Sequence, residues 1–221
     1  KIRHDWGAAD AKRDSEKKTP EDILRFDNIL YGEDKTWQIL DVYKPKSAEG
    51  KLPVIVNVHG GGWVYGTKEV YQFYCMSLAQ MGFAVVNYNY RLAPENKFPS
   101  SVEDTNSVFN WIEKNQNEYG FDCNNVFAVG DSAGANLLAL YAAILTNTEL
   151  KKKYDFELMI WSDMFFRPWN DGLSPQVLQS YCNQQSLIPS HHKADYFLSM
   201  SLLPRHVHKA YRYLPYIALH T

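Results

Sequence analysis

Apolar and polar positions alternate between two regimes along the first two thirds of the chain. Leu52-Pro53-Val54-Ile55-Val56-Asn57-Val58, Phe83-Ala84-Val85-Val86-Asn87-Tyr88 and Asn125-Val126-Phe127-Ala128-Val129 are short, nearly continuous runs rich in β-branched residues. That pattern predicts strands buried on both faces. Residues 68–81, 101–117 and 133–146 read as helices, with Ser100 or Ser101 as N-cap of the second. From Ile29 to Tyr43 there is a strand signal on either side of a Gly32-Glu33-Asp34-Lys35 turn, and Pro45 to Lys51 reads as a loop. Strands alternating with helices at this spacing predict βαβ units: an α/β fold, a mostly parallel sheet with helices on both faces. The core is expected over residues 24–150. Residues 1–23 carry twelve charged side chains and read as a solvated segment, open to being helical and to covering something beneath.

The regularity stops in residues 151–221. That stretch holds one of the 12 glycines, five of the seven histidines, two valines and three isoleucines. Phe156-Glu157-Leu158-Met159-Ile160-Trp161 predicts a further strand, but the two buried β-branched runs with glycine turns that the fold still needs are not found beyond Pro168. The C-terminal half is therefore expected to be short or aberrant: divergent, shifted in frame, or incomplete.

Composition narrows the partners. The 221 residues carry 23 basic and 25 acidic side chains, a formal net charge of −2. Nucleic acid and anionic membranes are poor candidates for the main partner. The longest apolar run, Leu137 to Leu145, is far short of the roughly 20 residues that span a bilayer. No charged-then-apolar leader opens the chain, and Cys75, Cys123 and Cys182 suggest no disulfide framework, so a cytoplasmic protein is expected. A homo-oligomer is left open. His191, His192, Asp195, His206 and His208 match no closed zinc pattern, so neither metal nor cofactor is expected.

Two motifs carry chemistry. Gly130-Asp131-Ser132-Ala133-Gly134 is a G-x-S-x-G pattern between a predicted strand and a predicted helix, the setting of a nucleophile elbow. His59-Gly60-Gly61-Gly62 follows another predicted strand. Both lie at strand C-terminal ends, where open α/β sheets bind ligands. Acyl transfer needs backbone N–H donors already aimed at a developing oxyanion. Ser132 is the expected nucleophile, and the amides of Gly61, Gly62 and Ala133 are the expected oxyanion hole. Trp63 and Tyr65 line an acyl pocket or pack into the core. His59 is expected to be structural, and Asp131, at the variable elbow position, is not expected to be the triad acid.

His59-Gly60-Gly61-Gly62-Trp63 and Gly130-Asp131-Ser132-Ala133-Gly134 resemble the two signatures of the hormone-sensitive-lipase group of α/β-hydrolases. Tyr90-Arg91-Leu92-Ala93-Pro94-Glu95, Phe98-Pro99 and Glu103-Asp104 are similar to a third stretch typical of that group. The resemblance covers about residues 28–146. It implies carboxylester hydrolysis, usually of short acyl esters, through a Ser–His–Asp triad without a cofactor. It also implies an N-terminal cap near the pocket, a place residues 1–23 could fill. Arg91, Glu95 and Asp104 are expected to fix loops.

In this fold the acid and then the base follow the serine in the chain. Asp195 with His206 or His208 has that order, but none sits in a stretch resembling the group's acid or histidine loops. A second function class therefore stands beside the serine esterase: a ligand-binding protein on a hydrolase scaffold, impaired in catalysis for want of an Asp/His pair.

Overall fold

A computed structural model describes residues 2–154, 156, 165–166 and 197–203. In chain order the elements are α1 (Ile2–Asp14), β1 (Ile23–Leu30), β2 (Ile39–Pro45), β3 (Leu52–Val58), α2 (Lys68–Gln80), β4 (Ala84–Tyr88) and α3 (Ser100–Lys114). Then come α4 (Gln116–Tyr119), β5 (Phe121–Asp131), α5 (Ala133–Thr146), α6 (Thr148–Tyr154), β6 (Phe165–Phe166) and β7 (Phe197–Leu203). The strands form one open mixed sheet in the order β1-β2-β4-β3-β5-β7-β6. Its centre, β4-β3-β5, is parallel. Its flanks, β1-β2-β4 on one side and β5-β7-β6 on the other, are antiparallel.

Both faces of the centre are buried, as the uninterrupted apolar runs require. Val54, Val56 and Val58 of β3 join Val86 and Tyr88 of β4 in a core with Val108, Phe109 and Ile112 of α3 and Leu137, Leu138, Tyr141 and Ile144 of α5. On the opposite face Ile55 and Val85 pack with Cys75, Met76 and Ala79 of α2. Removing a large apolar side chain of this kind from water contributes about 1.5–3 kcal/mol.

Three local expectations shift. The helix at residue 100 begins at Ser100 with Pro99 as its N-cap, so neither serine caps it; the Ser100 hydroxyl donates to the Lys97 carbonyl at 2.7 Å instead. β5 starts at Phe121 rather than Asn125, because Phe121 and Asp122 pair with Leu52 and Pro53 ahead of a register shift. In the tail, Phe197–Leu203 forms a strand antiparallel to β5 although it contains no β-branched residue. Most of the strand expected over 156–161 lies outside the described residues, as do Cys182, Asp195, His206 and His208.

Candidate active site

The sheet brings the two motifs together. β3 and β5 are parallel neighbours, and Val58 stands opposite Gly130 at their C-terminal ends. The segments that follow, 59–63 and 130–134, therefore leave the same edge side by side. Ser132 occupies the turn between β5 and α5 with φ 46° and ψ −109°, and it is exposed. A non-glycine residue at positive φ is held there only when its surroundings over-determine it. Here they do. The Asn136 N–H donates to the Ser132 carbonyl at 3.0 Å, and a Cβ on Gly134 would be driven into the Val58 carbonyl oxygen. Ala133 opens α5, so its N–H has no intrahelical acceptor, and the helix end favours negative charge.

The glycine segment is a tight turn. The Gly61 carbonyl accepts from the N–H groups of Val64 (3.2 Å) and Tyr65 (3.0 Å). Gly61 has φ 120° and leaves no room for a Cβ against the Tyr65 carbonyl; Gly62 and Trp63 both have φ 61°. His59, fully buried, contacts the Gly60 carbonyl through Nδ1 at 2.7 Å. A carbonyl only accepts, so the proton sits on Nδ1. In a trans peptide the C=O and the next N–H point opposite ways. Tying Gly60 O to His59 thus turns the Gly61 N–H to the other side. The imidazole stacks on Tyr90 with centroids 4.2 Å apart, and the Tyr90 hydroxyl donates to the His59 carbonyl at 3.0 Å. Burial pushes the His59 pKa down to about 4. His59 is therefore neutral, fully buried and bonded to the loop through Nδ1.

Neighbouring polar groups hold the loops. The buried Asp104 carboxylate accepts from the Arg91 N–H (2.7 Å), Arg91 Nε (2.9 Å) and Gln38 Nε2 (2.8 Å). Glu95 pairs with Arg3 of α1, whose guanidinium also donates to the carbonyls of Val64 and Ala93, each at 2.7 Å. Tyr65 donates to Asp10 at 2.5 Å and meets the Trp6 ring edge-on, so α1 lies against the turn that follows the glycines. Trp63 stays exposed. Asp131 accepts from the Tyr71 hydroxyl of α2 and packs beside Gly60, which bolts the elbow to the helix beneath it. Asn57, Asn87, Lys68 and Asp41, all buried under the loop, were not legible as site residues, because asparagine and lysine ordinarily mark surface. Among the described residues no His, Cys, Asp and Glu side chains cluster as metal ligands, and no helix is long and apolar enough to cross a membrane.

An open sheet with a parallel centre, a serine at a strained strand-to-helix turn and a polyglycine turn beside it define an α/β-hydrolase. The BD-FAE family model matches residues 40–163, and the chain belongs to that family, an α/β-hydrolase of the hormone-sensitive-lipase-like kind. Carboxylesterase NlhH of Mycobacterium tuberculosis is 35% identical over 132 residues, covering 58% of this chain and 41% of the relative. Esterase LipC of the same organism is 34% identical over 137 residues, covering 61% and 33%. The crystal structure of esterase B from Lactobacillus rhamnosis superposes with a TM-score of 0.67 at 30% identity, covering 72% of this chain and 52% of that one. The chain thus spans about a third to two fifths of the length of these two curated relatives.

Proposed function

We propose that the protein is a serine carboxylesterase for short-chain acyl esters. The observation that carries this reading is the strained, exposed Ser132 at the end of β5, next to the Gly60–Gly62 turn at the end of the parallel neighbour β3. Ser132 Oγ attacks the ester carbonyl and forms the new C–O bond while an imidazole base takes the hydroxyl proton. The carbonyl oxygen becomes an oxyanion, which accepts from the amides of Gly61, Gly62 and Ala133. One such donor is typically worth about 3–4 kcal/mol of barrier. Collapse breaks the bond to the alcohol, which leaves with the proton. Water then releases the acid by the same steps in reverse. No metal or cofactor takes part.

The relatives named carboxylesterase and esterase support the reaction class. A structure of esterase B inhibited by a tributyrin phosphonate supports a short acyl chain. Residues 1–23 serve as the cap: α1 lies over Val64 and Tyr65, beside the expected acyl pocket. Asp195 with His206 or His208 is the acid and base pairing that the chain order allows. The free thiols Cys75 and Cys123 suit a reducing compartment, the cytoplasm.

Hydrolysis of p-nitrophenyl acetate by the chain and by Ser132→Ala tests the proposal. Turnover that the substitution abolishes is expected. An inactive parent, or a Ser132→Ala variant as fast as the parent, overturns the esterase reading; the inactive parent leaves the ligand-binding scaffold in its place.

A further inference from the structure

The turn that carries Gly61 and Gly62 has two stems, β3 in front and the first turn of α2 behind. One side chain under the sheet's edge joins them. Asn57 of β3 and Asn87 of β4 stand opposite each other in register, both buried. Asn57 Nδ2 donates to Asn87 Oδ1 at 2.9 Å, and Asn87 Nδ2 donates to the Lys68 carbonyl at 2.7 Å. The Lys68 carbonyl can only accept, so it fixes which way the Asn87 amide faces. Asn57 lies two residues before His59, and Lys68 two residues after Gly66. Asn87 therefore closes the base of the whole segment between them.

The rear stem is fixed further. The Lys68 N–H donates to Asn89 Oδ1 at 2.6 Å. Its buried ammonium pairs with Asp41 Oδ1 at 3.0 Å and Glu69 at 2.6 Å. Asp41 also accepts from the Asn28 N–H and the Tyr43 hydroxyl, each at 2.8 Å. None of this is demanded by the sheet. Two residues back on the same face, the β3–β4 pair is Ile55 and Val85, wholly apolar. Buried amides and a buried ion pair add little net stability compared with apolar packing, and their best-attested use is to specify one arrangement.

We infer that Asn87 is a positioning residue for the oxyanion turn. By tying Asn57 to Lys68 it sets the spacing of the two stems, and so where the Gly61 and Gly62 amides stand relative to Ser132. The inference rests on the esterase reading above.

The test compares the chain with Asn87→Leu, which keeps the branched outline of the side chain and makes neither bond, using p-nitrophenyl acetate and an alkyl trifluoromethyl ketone. The ketone forms a tetrahedral oxyanion adduct on an active serine. Displacement of donors without loss of the fold lowers kcat about 10- to 100-fold, with KM within about twofold. Ketone affinity falls by the same factor as kcat, and circular dichroism confirms a folded variant at assay temperature. Asn57→Val, which spares the bond to Lys68, carries the same comparison if Asn87→Leu does not fold. A folded variant with unchanged kcat, or a kcat loss with ketone affinity intact, overturns the inference while the esterase reading stands. A parent chain that neither turns over ester nor binds the ketone removes the esterase reading, and this inference with it.

Discussion

Gly134 lies against the Val58 carbonyl so closely that a side chain on it would be driven into that oxygen. Val58 ends the strand that leads into the glycine turn, and Gly134 belongs to the first turn of the elbow helix. The contact seats α5 directly on β3, and Asp131, the residue before Ser132, lies beside Gly60. Because the obstacle is backbone, no rotamer change relieves it. Gly134→Ala should destabilise the fold by about 1–3 kcal/mol in urea denaturation, the usual range for overpacking. A variant as stable as the parent would show that α5 can move away without cost.

Arg91 and Asp104 make the second prediction. Asp104 is wholly buried, and Arg91 supplies both a backbone and a side-chain donor to it. Arg91→Met leaves the buried carboxylate with the residue-91 N–H and Gln38 Nε2 alone, so losing the guanidinium bonds costs about 1–3 kcal/mol. Arg91→Met should lower stability on that scale. Arg91→Lys should restore only part, since an ammonium cannot reproduce the guanidinium's fork toward Asp104 and Glu103. Equal stability of parent and Arg91→Met would refute the role.

His59 gives a pH dependence with a definite sign. Its imidazole protonates near 6.5 in an unfolded chain but only near 4 when buried. Between those values the unfolded state binds the extra proton. The contribution to stability is complete above about pH 6.5 and is lost as pH falls toward 4. Between pH 7.5 and 5 the parent should lose about 2 kcal/mol more than His59→Asn, measured by chemical denaturation. Identical losses in the two proteins would show that His59 is not buried neutral.

The central strands and the helices at 68–81, 101–117 and 133–146 could be read from the chain because β-branched runs and helical periodicity report burial directly. The two glycine motifs were equally plain, since few residues tolerate the backbone they adopt. The polar supports were not. Asn57, Asn87 and Lys68 are types that usually meet water, and only the register of β3 on β4 and the entry of α2 bring them together. β7 was missed for a related reason: Phe197–Leu203 pairs with β5 without the β-branched residues that mark a central strand. The charged stretch 1–23, read as solvated and open to a helical, covering role, holds α1, whose Arg3 and Asp10 reach Val64 and Tyr65 and whose Arg13 donates to the Val70 carbonyl of α2.

The most direct test of the account is covalent labelling of the serine at the elbow. The chain is treated with a fluorophosphonate at neutral pH, digested, and mapped by mass spectrometry, beside Ser132→Ala. The account predicts one phosphonyl adduct, on the peptide containing Ser132, and none on the variant. An unlabelled parent, or an adduct that persists in Ser132→Ala, would contradict it.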